Sequence, residues 1–125
     1  MPSFLLVMAG GAIGAGFRYN LSRVAAEQMG EAFPWGTWIA NLLGGLLAGL
    51  LAGFLIGEGS QGEPLRLFLG VGVLGGFTTF SAFSLEAATM IERGDIAMAA
   101  AYAVSSVAGS VMMLFIGLWL VRAGA

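Results

Sequence analysis

The chain contains no cysteine and no histidine, and its positive charge comes from arginine alone, without a single lysine. Without cysteine, neither a disulfide framework nor a thiolate metal site is available. Without histidine, the usual proton carrier at neutral pH is missing. Charge of either sign is scarce, at 10% of 125 residues, where a soluble domain carries about 25%. The net charge is −2 and no basic cluster is present, which excludes nucleic acid as a partner. No catalytic triad or metal-ligand cluster can be assembled without His or Cys, and the carboxylates fall towards helix ends, so the composition argues against an enzyme.

What remains is apolar: 58% hydrophobic residues and a mean hydropathy of +0.92. Uncharged runs cover Met1–Phe17, Ala32–Gly57, Leu67–Leu85 and Ile96–Val121, and a spanning helix needs about 20 apolar residues. The pattern predicts an all-α membrane protein with helices at about 4–28, 35–57, 65–92 and 95–122. The first run lacks a basic n-region and continues helically through Arg18 and Arg23, so it reads as a spanning helix rather than a cleaved signal. Loops at about 29–34, 58–64 and 93–95 are short, which makes consecutive helices antiparallel neighbours in a single domain, 1–125.

Glycine is abundant, at 21 residues. Asn41, Gly45, Gly49, Gly53 and Gly57 recur every fourth position, and Gly10 and Gly14 share that spacing. Small-residue stripes of this kind let helix backbones approach closely. Asn41 is different, because a carboxamide inside a spanning helix must either join helices or face a polar path. Tyr102, Ser106 and Ser110 likewise stack along one face of the last helix, as packing glue or as part of such a path.

The stretch GGFTTFSAFS, residues 75–84, concentrates the unusual features. Gly75 and Gly76 favour a break in the third helix, and irregular backbone at membrane depth survives only where protein buries it or a cavity hydrates it. A break frees carbonyls that coordinate a hard cation such as Na⁺. Beyond it, Phe80 and Phe83 lie on neighbouring turns, with Ser81 and Ser84 nearby and Glu86 towards the membrane surface. Ring edges are electropositive and can meet a small anion.

Three motifs here resemble the CrcB/Fluc family of fluoride channels. GGAIGAGFRY at 10–19 fits that family's GGxxGAxxRY, GTWIANLLG at 36–44 fits GTxxxNxxG, and GGFTTFSAF at 75–83 fits GGFTTFSTF. The resemblance implies a dual-topology, antiparallel homodimer in the cell (inner) membrane that exports fluoride from the cytoplasm through two pores. It implies a central structural Na⁺ held by backbone carbonyls of Gly75 and Thr78. Phe80 and Phe83 would be the pore phenylalanines, Asn41 the pore amide, and Tyr102, Ser106 and Ser110 the polar track, with Ser81 and Ser84 beside it. Arg18 and Glu86 would stand at helix ends or in a vestibule. Ala82 departs from the motif's threonine, which leaves one rung of that track missing or filled by water.

Two other readings compete. A small multidrug-type exporter, also dual-topology and proton-coupled, needs an embedded carboxylate, and the first helix has none before Glu27. A non-transporting assembly subunit would use the glycines for packing alone. Independently of the family, Arg18, Arg23 and Arg93 flank one side of the expected topology while Arg66 and Arg122 flank the other. So small a bias leaves insertion free to occur both ways.

Overall fold

The structure is a computed structural model that describes residues 2–124; Met1 and Ala125, the two ends of the domain read from the sequence, lie outside the described residues. Helix α1 spans Ser3–Met29 and stops at Gly30, whose φ of 82° is favourable only for glycine and whose N–H closes on Ala26 O at 3.0 Å. Pro34 precedes α2, Trp35–Leu55. After a 3₁₀ turn at Gly59–Gly62, α3 occupies 63–77 with Pro64 in its first turn, where a missing N–H costs nothing. Residues 78–80 leave the helix, α4 resumes at Ser81–Glu92, and α5 runs Ile96–Gly124.

Four segments are long and apolar enough to cross a membrane: α1, α2, the stretch Gly59–Glu92 that contains α3 and α4, and α5. These are the four helices expected, with the third interrupted. Two helix pairs dominate the packing to about the same extent, α1 against α3 and α2 against α5. Both interfaces are made by glycine. A Cβ on Gly45 or Gly49 would strike the backbone of Ser110 or Leu114, and one on Gly10 or Gly14 would strike the backbone of Phe68 or Val73. Only a side chain of one hydrogen lets these backbones meet. Gly57, the last of the expected stripe, lies beyond α2 at φ 89° with open space around it.

The break is displaced from its expected position. Gly75 and Gly76 are helical, and Gly76 instead serves close packing: a Cβ there would approach Gly11 Cα to 3.0 Å and Ala15 N to 3.1 Å. The chain departs at Thr78, with φ −86° and ψ 157°. Threonine hydroxyls compete with backbone for local partners. Thr78 Oγ1 donates to Leu74 O at 2.9 Å, and Thr79 Oγ1 accepts from Ala82 N at 3.2 Å, which caps the start of α4. Upstream, Arg66–Leu74 is wound as a π-helix, wider than an α-helix and a common companion of functional sites.

Candidate functional site

The break leaves backbone groups to be satisfied, and α2 supplies the partner. Asn41 Nδ2 donates to Thr79 O at 3.2 Å while Thr79 N donates to Asn41 Oδ1 at 2.9 Å. Each interaction has a consequence one turn back. In an unbroken helix Thr79 N–H would close on Gly75 O, and Ala82 N–H on Thr78 O. Asn41 takes the first donor and Thr79 Oγ1 the second, so the carbonyls of Gly75 and Thr78 are released from helical pairing.

These groups border an open groove of about 640 Å³ between α2, α3, the break and α5. Asn41, Gly75, Thr78, Phe80, Phe83, Ser106 and Ser110 all line it. Ser110 Oγ donates to Asn41 O at 3.2 Å. Ser106 is only 5% exposed, and its hydroxyl has no partner among the described residues. An unbonded buried hydroxyl costs about 1–3 kcal/mol in desolvation, a cost that a hydrogen-bond acceptor in the groove would offset.

From the groove an aromatic series runs inward. Phe80 is 77% exposed and stands 5.6 Å from Phe83 between ring centroids. Phe83 lies 5.0 Å from Tyr102, which is fully buried and meets Phe33 edge-on at 5.3 Å. Tyr102 OH donates to Glu86 Oε1 at 3.3 Å. Glu86, with the buried Thr37, opens onto a second recess of about 320 Å³ beside the α1–α2 connection. Tyr102 therefore separates two openings: Ser106 and Ser110 face the first, and the Tyr102 hydroxyl reaches the carboxylate of the second.

Ser81, Ser84, Arg18 and Glu86 stand outside the Asn41 groove. Ser81 and Ser84 are exposed on α4 and line neither opening. Arg18 is half-buried within α1, well before its end, and donates from Nε to Gly76 O at 3.2 Å. Glu86 is inside α4, two turns short of its end. Thr37, Thr79 and Trp38 were not singled out by the sequence; Trp38 Nε1 donates to Ser105 Oγ at 3.0 Å. A signal for Thr37 was present, since it lies one turn before Asn41 on the same face.

The whole chain has known relatives. The profile of the CrcB-like protein, Camphor Resistance (CrcB) family matches residues 5–118. A protein of Chelativorans sp. named fluoride-specific ion channel FluC is 50% identical over 122 residues, covering 98% of each chain. One of Phenylobacterium zucineum with the same name is 56% identical over 123 residues, covering 98% of this chain and 97% of its own. A third, from Hyphomonas neptunium, is 53% identical over 124 residues, covering 98% and 97%. With the profile spanning nearly every residue of the four spans, and the groove built from the motifs that carried the resemblance, this chain belongs to the CrcB-like family.

Proposed function

We propose that this chain is a fluoride-selective ion channel, not an enzyme, that lets fluoride leave the cytoplasm across the cell (inner) membrane and so reduces its toxicity. The observation that carries the reading is the unpartnered Ser106 hydroxyl in a groove shared with Asn41 and the Phe80–Phe83 pair. The names of the relatives support the choice of ion. Fluoride is small and strongly hydrated, so a path must replace its water with donors while binding weakly enough to release it. Asn41 has a second amide N–H beyond the one given to Thr79, and Ser106 has a free O–H. Ring edges of Phe80 and Phe83 add positive potential without a full charge.

The working form in this proposal is an antiparallel homodimer with two pores. An open groove whose aromatic wall is largely exposed supports a second copy as its missing side, and the near-even arginine distribution supports opposite orientations. A structural Na⁺ belongs at the dimer centre, where Gly75 and Thr78 would hold it. Their carbonyls fit a hard cation because Asn41 and Thr79 have taken the N–H groups that would otherwise occupy them. Bound there, Na⁺ would offset the partial negative charge at the end of α3.

Fluoride efflux from proteoliposomes, followed with a fluoride electrode, tests the proposal. A channel dissipates a fluoride gradient with no pH gradient imposed. A proton-coupled exporter moves protons in fixed ratio with its substrate, read as a pH change inside the liposomes, and an assembly subunit gives neither flux nor pH change. Replacing Na⁺ on both sides with a large organic cation is expected to weaken assembly or flux.

A further inference from the structure

Arg18 carries charge into a span that is otherwise uncharged as far as Phe17, and no ion pair with it is present among the described residues. A half-buried guanidinium that merely snorkels would direct its whole head to water. Here the bond is made by Nε, the nitrogen nearest the chain, to the carbonyl of Gly76 at 3.2 Å. That carbonyl belongs to the last turn of α3, and the residue that would pair with it in an unbroken helix is Phe80, on the far side of the break. A helix C-terminus carries partial negative charge, so a cation there is favourable as well as a donor.

The two sides of the break are thus held by different helices. Arg18 of α1 holds Gly76, just before the chain departs, and Asn41 of α2 holds Thr79 within the break. Gly76 cannot move independently of α1, since its Cα face lies against Gly11 and Ala15. We propose that Arg18 is a positioning residue that clamps the end of α3, so that Thr79 stays in register with Asn41 and the carbonyls of Gly75 and Thr78 stay turned out of the helix. This deepens the channel reading and rests on it only for the consequence in flux.

The identity of the bonding atom supplies a test that separates this role from electrostatic attraction of an anion. Gln Nε2 occupies the same place along the side chain as Arg Nε, so Arg18→Gln keeps the donor and removes the charge. Arg18→Lys keeps the charge but places its nitrogen one atom farther out, and Arg18→Met removes both. Hydrogen exchange of the full-length protein in lipid nanodiscs should show the amides of Thr78 and Thr79 exchanging at least tenfold faster in Arg18→Met and Arg18→Lys. In Arg18→Gln they should stay within about threefold of the native rate, a spread small against one lost hydrogen bond. Fluoride flux should follow the same order, with Gln above Lys. Lys protecting and conducting better than Gln would overturn the clamp in favour of charge, as would native protection in folded Arg18→Met. Should Arg18→Met not fold, the Gln and Lys comparison decides alone. A native protein that shows this exchange pattern yet moves no fluoride would remove the channel reading and leave the clamp in place.

Discussion

The side chain of Asn41 is hydrogen-bonded in both directions to the backbone of Thr79, a residue 38 positions away, accepting at 2.9 Å and donating at 3.2 Å. This pairing makes one amide serve two purposes. It replaces helical hydrogen bonds that the break has removed, and it still has one N–H and one lone pair to present to the groove.

Asn41→Ala should therefore harm stability as well as flux. It orphans a donor and an acceptor, at roughly 1–3 kcal/mol each when buried. Asn41→Asp retains the acceptor for Thr79 N–H but cannot donate to Thr79 O, and it adds negative charge beside an anion path. The expected ranking in a thermal shift assay is native above Asp above Ala, with fluoride flux lost in both variants. Native flux from assembled Asn41→Ala would remove the amide from the path.

Ser106→Ala should dissociate the two properties. The hydroxyl is buried and unbonded in the protein, so deleting it relieves a desolvation cost and leaves thermal stability equal or higher. If that hydroxyl donates to fluoride, a bond to a charged group worth about 1.5–3 kcal/mol disappears and flux falls roughly tenfold to a hundredfold. Unchanged flux would make Ser106 a packing residue only.

The phenylalanines should separate in the same assays. Phe80 is largely exposed in one copy, whereas Phe83 also stacks on Tyr102. Phe80→Ile should leave the stability of the single chain nearly untouched, while Phe83→Ile loses an aromatic contact worth about 0.5–1.5 kcal/mol beyond its area. Both should strongly reduce flux. Two conducting variants would remove the ring pair from the ion path.

The four spans were legible because long uncharged runs have few alternatives in a bilayer, and the glycine stripes of α2 and α1 were legible because period four means one face. The position of the break was not. Glycine at 75 and 76 signals irregular backbone and close packing equally well, and the deciding fact, that Gly11 of α1 lies against Gly76, is tertiary. The local hydroxyl chemistry of Thr78 and Thr79 set the break instead. The serines of the last helix could not be told apart by spacing either: Ser110 bonds Asn41 O, Ser105 bonds Trp38, and Ser106 alone is left free. Whether a hydroxyl has a partner depends on the neighbouring helix, which periodicity does not encode.

The paired glycines give an opposite pair of outcomes. Gly76→Ala forces a methyl against α1 backbone that has no freedom to retreat, and overpacking of this kind costs about 1–3 kcal/mol. Gly75→Ala meets only Gly70 O at 3.9 Å and sits at helical φ of −62°, where alanine is favoured over glycine by about 1 kcal/mol. Thermal unfolding should show loss for the first and no loss for the second. A fall in flux for stable Gly75→Ala that added Na⁺ partly reverses would then report on the cation site rather than on folding.

Orientation provides the last prediction. Arg18, Arg23 and Arg93 lie towards the side of the α1–α2 and α4–α5 connections, whereas Arg66 and Arg122 lie towards the side of the α2–α3 connection. Arg93 is in addition paired with Asp95 at 2.7 Å and bonded to Ala32 O at 3.2 Å, so it joins the two connections on its side. Arg and Lys near span ends determine which side faces the cytoplasm; with Arg18 counted the arginines stand three against two, and with Arg18 set aside as lying well inside α1 they stand two against two, so the bias is almost nil. The chain should insert both ways. Adding about two or three arginines to the turn at Gly59–Gly62 would reverse the small bias between the two sides, and should lock one orientation and abolish fluoride flux when that variant is expressed alone. A partner carrying the additions at 93–95 should restore it, because each locked form supplies the orientation the other lacks. Accessibility labelling establishes the orientation of each variant independently of flux. A variant labelled from one side only that still conducts by itself would exclude the antiparallel pair and require both walls of the groove to come from copies of the same orientation.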